Sequence, residues 1–214
     1  MESYVRPAIT SPEFRDSDGN VIPYGDRWGM DHPPEDTYSV VTHPERFDPL
    51  HEVAEALIAH LVAEFDCTVD DDPEGISQLL PQYIGIRHAV RVIPAADDAA
   101  PLTFASTGAF PVVLHAGFLY TEALPPCGCD ACDSTWEECA DSLEEAVGAV
   151  VSGRFTESVS LWRRVAVRHS LTYPGGSRGG NLYARHTSRP VLRTAARRLK
   201  SLPDGWQPWP RRSR

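Results

Sequence analysis

Val112-Val113-Leu114-His115, a short Ala116-Gly117 connection, then Phe118-Leu119-Tyr120 is the stretch on which the fold turns. Two apolar, β-prone runs around a glycine-containing link read as a β-hairpin. A hairpin makes its two strands antiparallel, and the segments upstream extend the same pattern. Ile84, Ile86, His88, Val90 and Val92 alternate with Gly85, Arg87, Ala89 and Arg91, giving one apolar and one mostly polar face. On this reading His88 is a satisfied core histidine. Leu102-Thr103-Phe104-Ala105-Ser106 is a further strand. Sequential strands at this spacing predict an antiparallel sheet.

Helical periods flank the strands. Asp48 and Pro49 open a helix whose Leu50, Val53, Ala54, Leu57, Ile58, Leu61, Val62 and Phe65 follow one stripe,. Ser134 with Glu137 three residues on forms a capping box for a second helix. Trp136, Cys139, Leu143, Val147, Val150 and Val151 make its buried stripe, and Gly153 ends it. Ser188 and Pro190 start a third, with Val191, Leu192, Ala195, Ala196 and Leu199 inward. Between them, the alternation from Val159 to Tyr173 reads as one strand. Pro174 to Asn181 reads as a glycine-rich hairpin tip, with Leu182 to Thr187 as the returning partner. That glycine loop leads into an extended segment and not into a helix, so it lacks the phosphate-binding arrangement.

The expected architecture is α+β: an antiparallel sheet of about five strands packed by two or three helices, with irregular termini. Residues 1–47 read as an irregular N-terminal extension, 48–202 as a single α+β domain, and 203–214 as a basic Pro/Trp tail. The chain has 214 residues, 42% of them hydrophobic, enough for one sizeable core,. Asp16-Ser17-Asp18-Gly19-Asn20 has its glycine too early for a calcium loop. No apolar run is long enough to span a bilayer and no targeting pattern opens the chain. The expected compartment is the cytoplasm, where thiols stay reduced.

Charge is split along the chain. Residues 1–150 carry 28 acidic and 6 basic side chains, and residues 151–214 carry 2 and 14. An acidic body and a basic end attract each other, which predicts that the basic segments pack on the acidic part. No nucleic-acid-binding motif accompanies the basic end, so nucleic acid is not the expected partner. Neither a Gly-x-Ser-x-Gly elbow nor a His-Glu-x-x-His helix is present.

Chemistry concentrates at Pro125-Pro126-Cys127-Gly128-Cys129-Asp130-Ala131-Cys132-Asp133-Ser134, which holds three of the five cysteines. Cys127, Cys129 and Cys132 can converge on one ion, and zinc is the default metal for clustered thiolates. A closed structural site needs a fourth ligand, for which Cys139, Cys67, His88, His115, His169, Asp130 and Asp133 are candidates. A thiol redox centre is a second reading, since Cys129-Asp130-Ala131-Cys132 precedes a helix. Asp130, Asp133, Glu137 and Glu138 crowd it with negative charge. Reduced, unliganded thiols in a tight turn are the third.

The chain resembles a family of uncharacterised actinobacterial proteins, a domain of unknown function. The resemblance is carried by Tyr38 to Phe47, by Pro49-Leu50-His51, and by Pro126-Cys127-Gly128-Cys129-Asp130-Ala131-Cys132-Asp133. It implies no activity. The functional expectation is a non-catalytic cytoplasmic protein whose cysteine turn holds structural zinc and whose surface binds a protein partner or a second copy. The alternative is a thiol redox or metal-dependent enzyme built on the same three cysteines.

Overall fold

The computed structural model describes residues 4–71, 76, 80, 82–83, 85–108, 110–161, 166–183, 187–202 and 204–213. Five strands pair in chain order as one antiparallel sheet: β1 (Cys67–Asp70), β2 (His88–Pro94), β3 (Leu102–Ser106), β4 (Val112–Ala116) and β5 (Tyr120–Leu124). From β2 onward, short connections leave each strand beside its predecessor,. In the β4–β5 hairpin Ala116 faces Tyr120 and Val112 faces Leu124. Phe118 and Leu119 fall in the turn and not in β5, because their amides donate to the buried carboxylate of Glu157. Gly117, at φ +62°, is obligatory there: a Cβ would sit 2.2 Å from that carboxylate,.

Every residue of β3 and β4 is buried, so the sheet is covered on both faces. Helices α1 (Pro49–Glu64) and α2 (Trp136–Val151) cover one face. There Leu57, Leu61, Val92, Leu102, Phe104, Leu114, Leu143 and Val147 share a core. On the other face Ala89, Ala105 and Val113 meet Ile76 and Leu80. Strict one-face alternation therefore misreads β2. His88, its first residue, is exposed, while both Ala89 and Val90 are buried. Gly85, Ile86 and Arg87 precede the strand, and Ile84 lies outside the described residues.

The basic half adds a second antiparallel sheet, β6 (Phe155–Ser160), β7 (Ala166–Tyr173) and β8 (Gly176–Tyr183). The strand expected from Val159 to Tyr173 is thus two strands. The turn is confined to Pro174-Gly175, since Tyr173 already pairs with Gly176. Gly179 and Gly180 are strand residues and not part of a hairpin tip. A Cβ on Gly179 would lie 2.7 Å from the His169 carbonyl oxygen, so only glycine lets the strands close,. Among the described residues the count is eight strands in two sheets, against the expected five or so in one.

Helix α1 begins at Pro49 with Asp48 before it, as the sequence predicts. Helix α2 is capped one residue later than expected. Thr135 and Glu138 form the capping box, and Ser134 is a spacer after Asp133, whose φ of +51° ends the preceding turn. Helix α3 (Arg189–Lys200) buries Leu192 and Ala195 and exposes Val191. The C-terminal segment returns across the core: Trp206 and Trp209 are buried, and Trp209 Nε1 donates to the Ala100 carbonyl at 2.9 Å. Among the described residues, no helix is long and apolar enough to cross a membrane.

Candidate metal centre

The cysteine turn follows β5 directly. The chain leaves the sheet through Pro125 and Pro126 and makes one 3-10 turn, Asp130–Cys132, closed by the Cys132 amide donating to the Cys129 carbonyl at 3.1 Å. Gly128 lies flat against the Phe110 ring, where a Cβ would come within 2.5 Å of it. The turn brings the three predicted site residues together. Sγ of Cys127 and Cys129 are 3.3 Å apart, Sγ of Cys129 and Cys132 are 3.4 Å apart, and all three lie within 4.8 Å of one another. Cys129 is buried while Cys127 and Cys132 are exposed, so the sulfur cluster opens on solvent. All five cysteines are free thiols.

Hydrogen bonding divides the thiols. Cys129 is lowered to about 7, mainly because the Cys127 thiol hydrogen-bonds to it, with Cys132 and the amides of Cys132 and Ser39 adding. Cys132 is pushed up to about 12, first by its hydrogen bond to Cys129. Within the trio, the hydrogen bonds from its neighbours favour the thiolate form of Cys129,.

Residues 24–46 hold the turn from below. Asp130 is buried, and its carboxylate accepts from the Thr42 amide at 3.3 Å and the Thr42 hydroxyl at 2.9 Å. Arg46 Nη1 and Arg27 Nη1 lie 3.6 and 3.8 Å from it. Arg46 is also buried, with its guanidinium 4.4 Å from the ring centres of both Tyr24 and Phe47. Its Nη2 donates to the Gly128 carbonyl at 2.9 Å. The Arg27 amide donates to Asp133 at 2.8 Å, and Trp28 Nε1 donates to the Asp130 carbonyl at 3.2 Å. The Asp130 amide in turn donates to the Val40 carbonyl at 2.7 Å.

None of the predicted fourth ligands joins the sulfurs. Asp130 and Asp133 are turned into the arm. Cys139 faces the core on α2, where burial pushes its thiol up to about 12. Cys67 is in β1 with its thiol toward the Leu61 carbonyl. His88 is exposed on β2, His115 bonds Thr121 at 2.9 Å, and His169 packs on Tyr120. Among the described residues the set ends at three. Sequence reading missed Arg46, Arg27 and Thr42. Their only signal is two arginines interleaved with aromatics in the first 47 residues, opposite a turn rich in aspartate.

A cavity of about 230 Å³ lies between residues 11–24 and the start of α2, lined by Phe14, Val21, Tyr24, Arg46 and Trp136. Two nitrogens of its arginine are engaged by the Gly128 and His43 carbonyls and by Asp130, its Nε has no partner, and Ser11, Glu13, Thr135 and Glu137 add polar groups to the lining.

Comparison with known families matches residues 10–213 to DUF6226, a family of unknown function. The chain belongs to DUF6226. The match spans both sheets, the three helices and the cysteine turn. No curated protein and no solved structure matches the chain. For this DUF6226 chain the site geometry therefore carries the functional argument.

Proposed function

We propose that this DUF6226 chain is a non-catalytic cytoplasmic protein with a structural metal centre. Zinc is the ion, Cys127, Cys129 and Cys132 are its ligands, and the surface around the turn binds a protein partner or a second copy. The observation that carries the reading is the convergence of three sulfurs within 4.8 Å where the N-terminal arm meets the sheet. Thiolates in that number suit zinc. Beside them Tyr38, Val40 and Val41 are exposed, and apolar side chains grouped on a surface suit a partner. Asp130 is engaged by Thr42 and Arg46 and Asp133 by the Arg27 amide, so both carboxylates serve the contact with residues 24–46.

Purification under a phosphine reductant, followed by metal analysis and thiol titration, tests the reading. One zinc per chain, with the three cysteines slow to react until a chelator is added, supports it. Metal-free protein with one fast-reacting thiol sinks it and favours the thiol redox alternative.

A further inference from the structure

We infer that the metal in this turn keeps one coordination position open to solvent, and that this position takes a thiolate from outside the chain. The inference rests on the metal reading above and goes further by naming the fourth ligand. Three observations lead to it. The nearest carboxylates do not join the sulfurs: Asp130 is held by Thr42 and Arg46, and Asp133 keeps Oδ2 on the Arg27 amide while its unpartnered Oδ1 lies outside the 4.8 Å sulfur group. No other described cysteine or histidine brings a ligand atom into the group of three sulfurs. Finally, the open side of the cluster is the side of the exposed Cys127 and Cys132, not the side of the buried Cys129.

Chemistry chooses the incoming donor. A tetrahedral ion with zinc–sulfur bonds of about 2.3 Å sets its sulfurs about 3.8 Å apart. The present 3.3 and 3.4 Å widen to that by small side-chain rotations. Three thiolates make the ion soft, so a fourth sulfur suits it better than a hard oxygen. Binding forms one metal–sulfur bond. The incoming thiol loses its proton to solvent, and no electron is transferred.

The full chain loaded with Co²⁺ under a phosphine reductant provides the test, with 2-mercaptoethanol as the added thiol. The sulfur-to-metal charge-transfer band should grow by about one third as three thiolates become four, saturating at one thiol per metal. A four-sulfur spectrum before any thiol is added, appearing only at high protein concentration with a dimer in light scattering, also supports the inference. In that case a second copy's Cys127 or Cys132 is the donor. A spectrum that ignores added thiol at every protein concentration overturns it. The same holds if Cys67→Ala, Cys139→Ala or His186→Ala alters the spectrum, His186 lying outside the described residues. Failure to take up any Co²⁺ overturns the metal reading itself, so the two failures are distinct.

Discussion

Arg46 lies between the Tyr24 and Phe47 rings with one nitrogen on the Gly128 carbonyl and another 3.6 Å from Asp130. Arg46→Met keeps much of the volume and leaves the Asp130 carboxylate buried with less countercharge. We expect a loss of about 3–5 kcal/mol, read as a lower urea midpoint, with Arg46→Met/Asp130→Asn costing less than the two single changes added. An unchanged midpoint in Arg46→Met would refute the pairing. Glu157 makes a second residue-level prediction. It accepts from the Phe118 and Leu119 amides and from Trp206 Nε1, but burial outweighs these bonds and raises it to about 7. The folded protein thus keeps a proton that the unfolded chain has lost. Its contribution is complete below the usual carboxylate range and disappears as pH rises through 7. Stability should fall between pH 5 and pH 8, and Glu157→Gln should flatten that part of the profile even if it lowers the whole curve. At this scale the cysteine trio was legible because its members are neighbours in sequence. Its supports were not, since Arg46 meets Gly128 across 82 positions and Thr42 meets Asp130 across 88.

Among elements, the start of α2 shows how two local rules compete. Ser134 with Glu137 and Thr135 with Glu138 both satisfy the capping-box spacing. The αL residue Asp133 decides between them by placing Ser134 outside the helix. Thr135→Ala should cost about 1 kcal/mol, while Ser134→Ala should be close to neutral, a contrast that thermal melts of the two variants can read. The β4–β5 hairpin and α1 were readable because their apolar periods are regular and their connections short. β2 was legible from Val90 to Pro94, where burial alternates, but not at its start, where His88 is exposed and Ala89 is buried on the second covered face. In β8 glycine was mistaken for a turn signal. There it answers a contact with His169 on the adjacent strand, a reason that exists only once the strands have paired.

Across the whole molecule the charge split corresponds to real contacts. Arg178 reaches Glu122 and Arg211 reaches Glu64, each at 2.8 Å. Partly exposed pairs of this kind contribute little, so the C-terminal segment is held chiefly by its tryptophans. Trp209 stacks edge-on against Phe65, and the Trp209 amide donates to the Val151 carbonyl at 3.0 Å. Trp209→Ala should cost about 3–5 kcal/mol in urea unfolding, and 0.5 M salt should change the wild-type midpoint far less. A salt effect as large as the Trp209 effect would reverse that ranking. The attraction between the acidic and basic parts was legible in composition. The anchoring role of the tryptophans was not, because a proline-rich segment has no period to betray which side faces the core.

The three cysteines are separated by only two and three positions, so an ion bound to them closes very short loops and removes little freedom from the unfolded chain. On the proposed metal reading its grip falls on the neighbourhood: the turn, and through Asp130 and Gly128 the residues 24–46 that contact it. Chelation should therefore loosen one part of the molecule and spare the rest, a sub-global opening rather than a global one. Trypsin added after chelation should cut first at Arg27 and Arg46, while Arg91 within β2 stays protected. Equal cutting at all three sites would mean that the ion secures the entire fold.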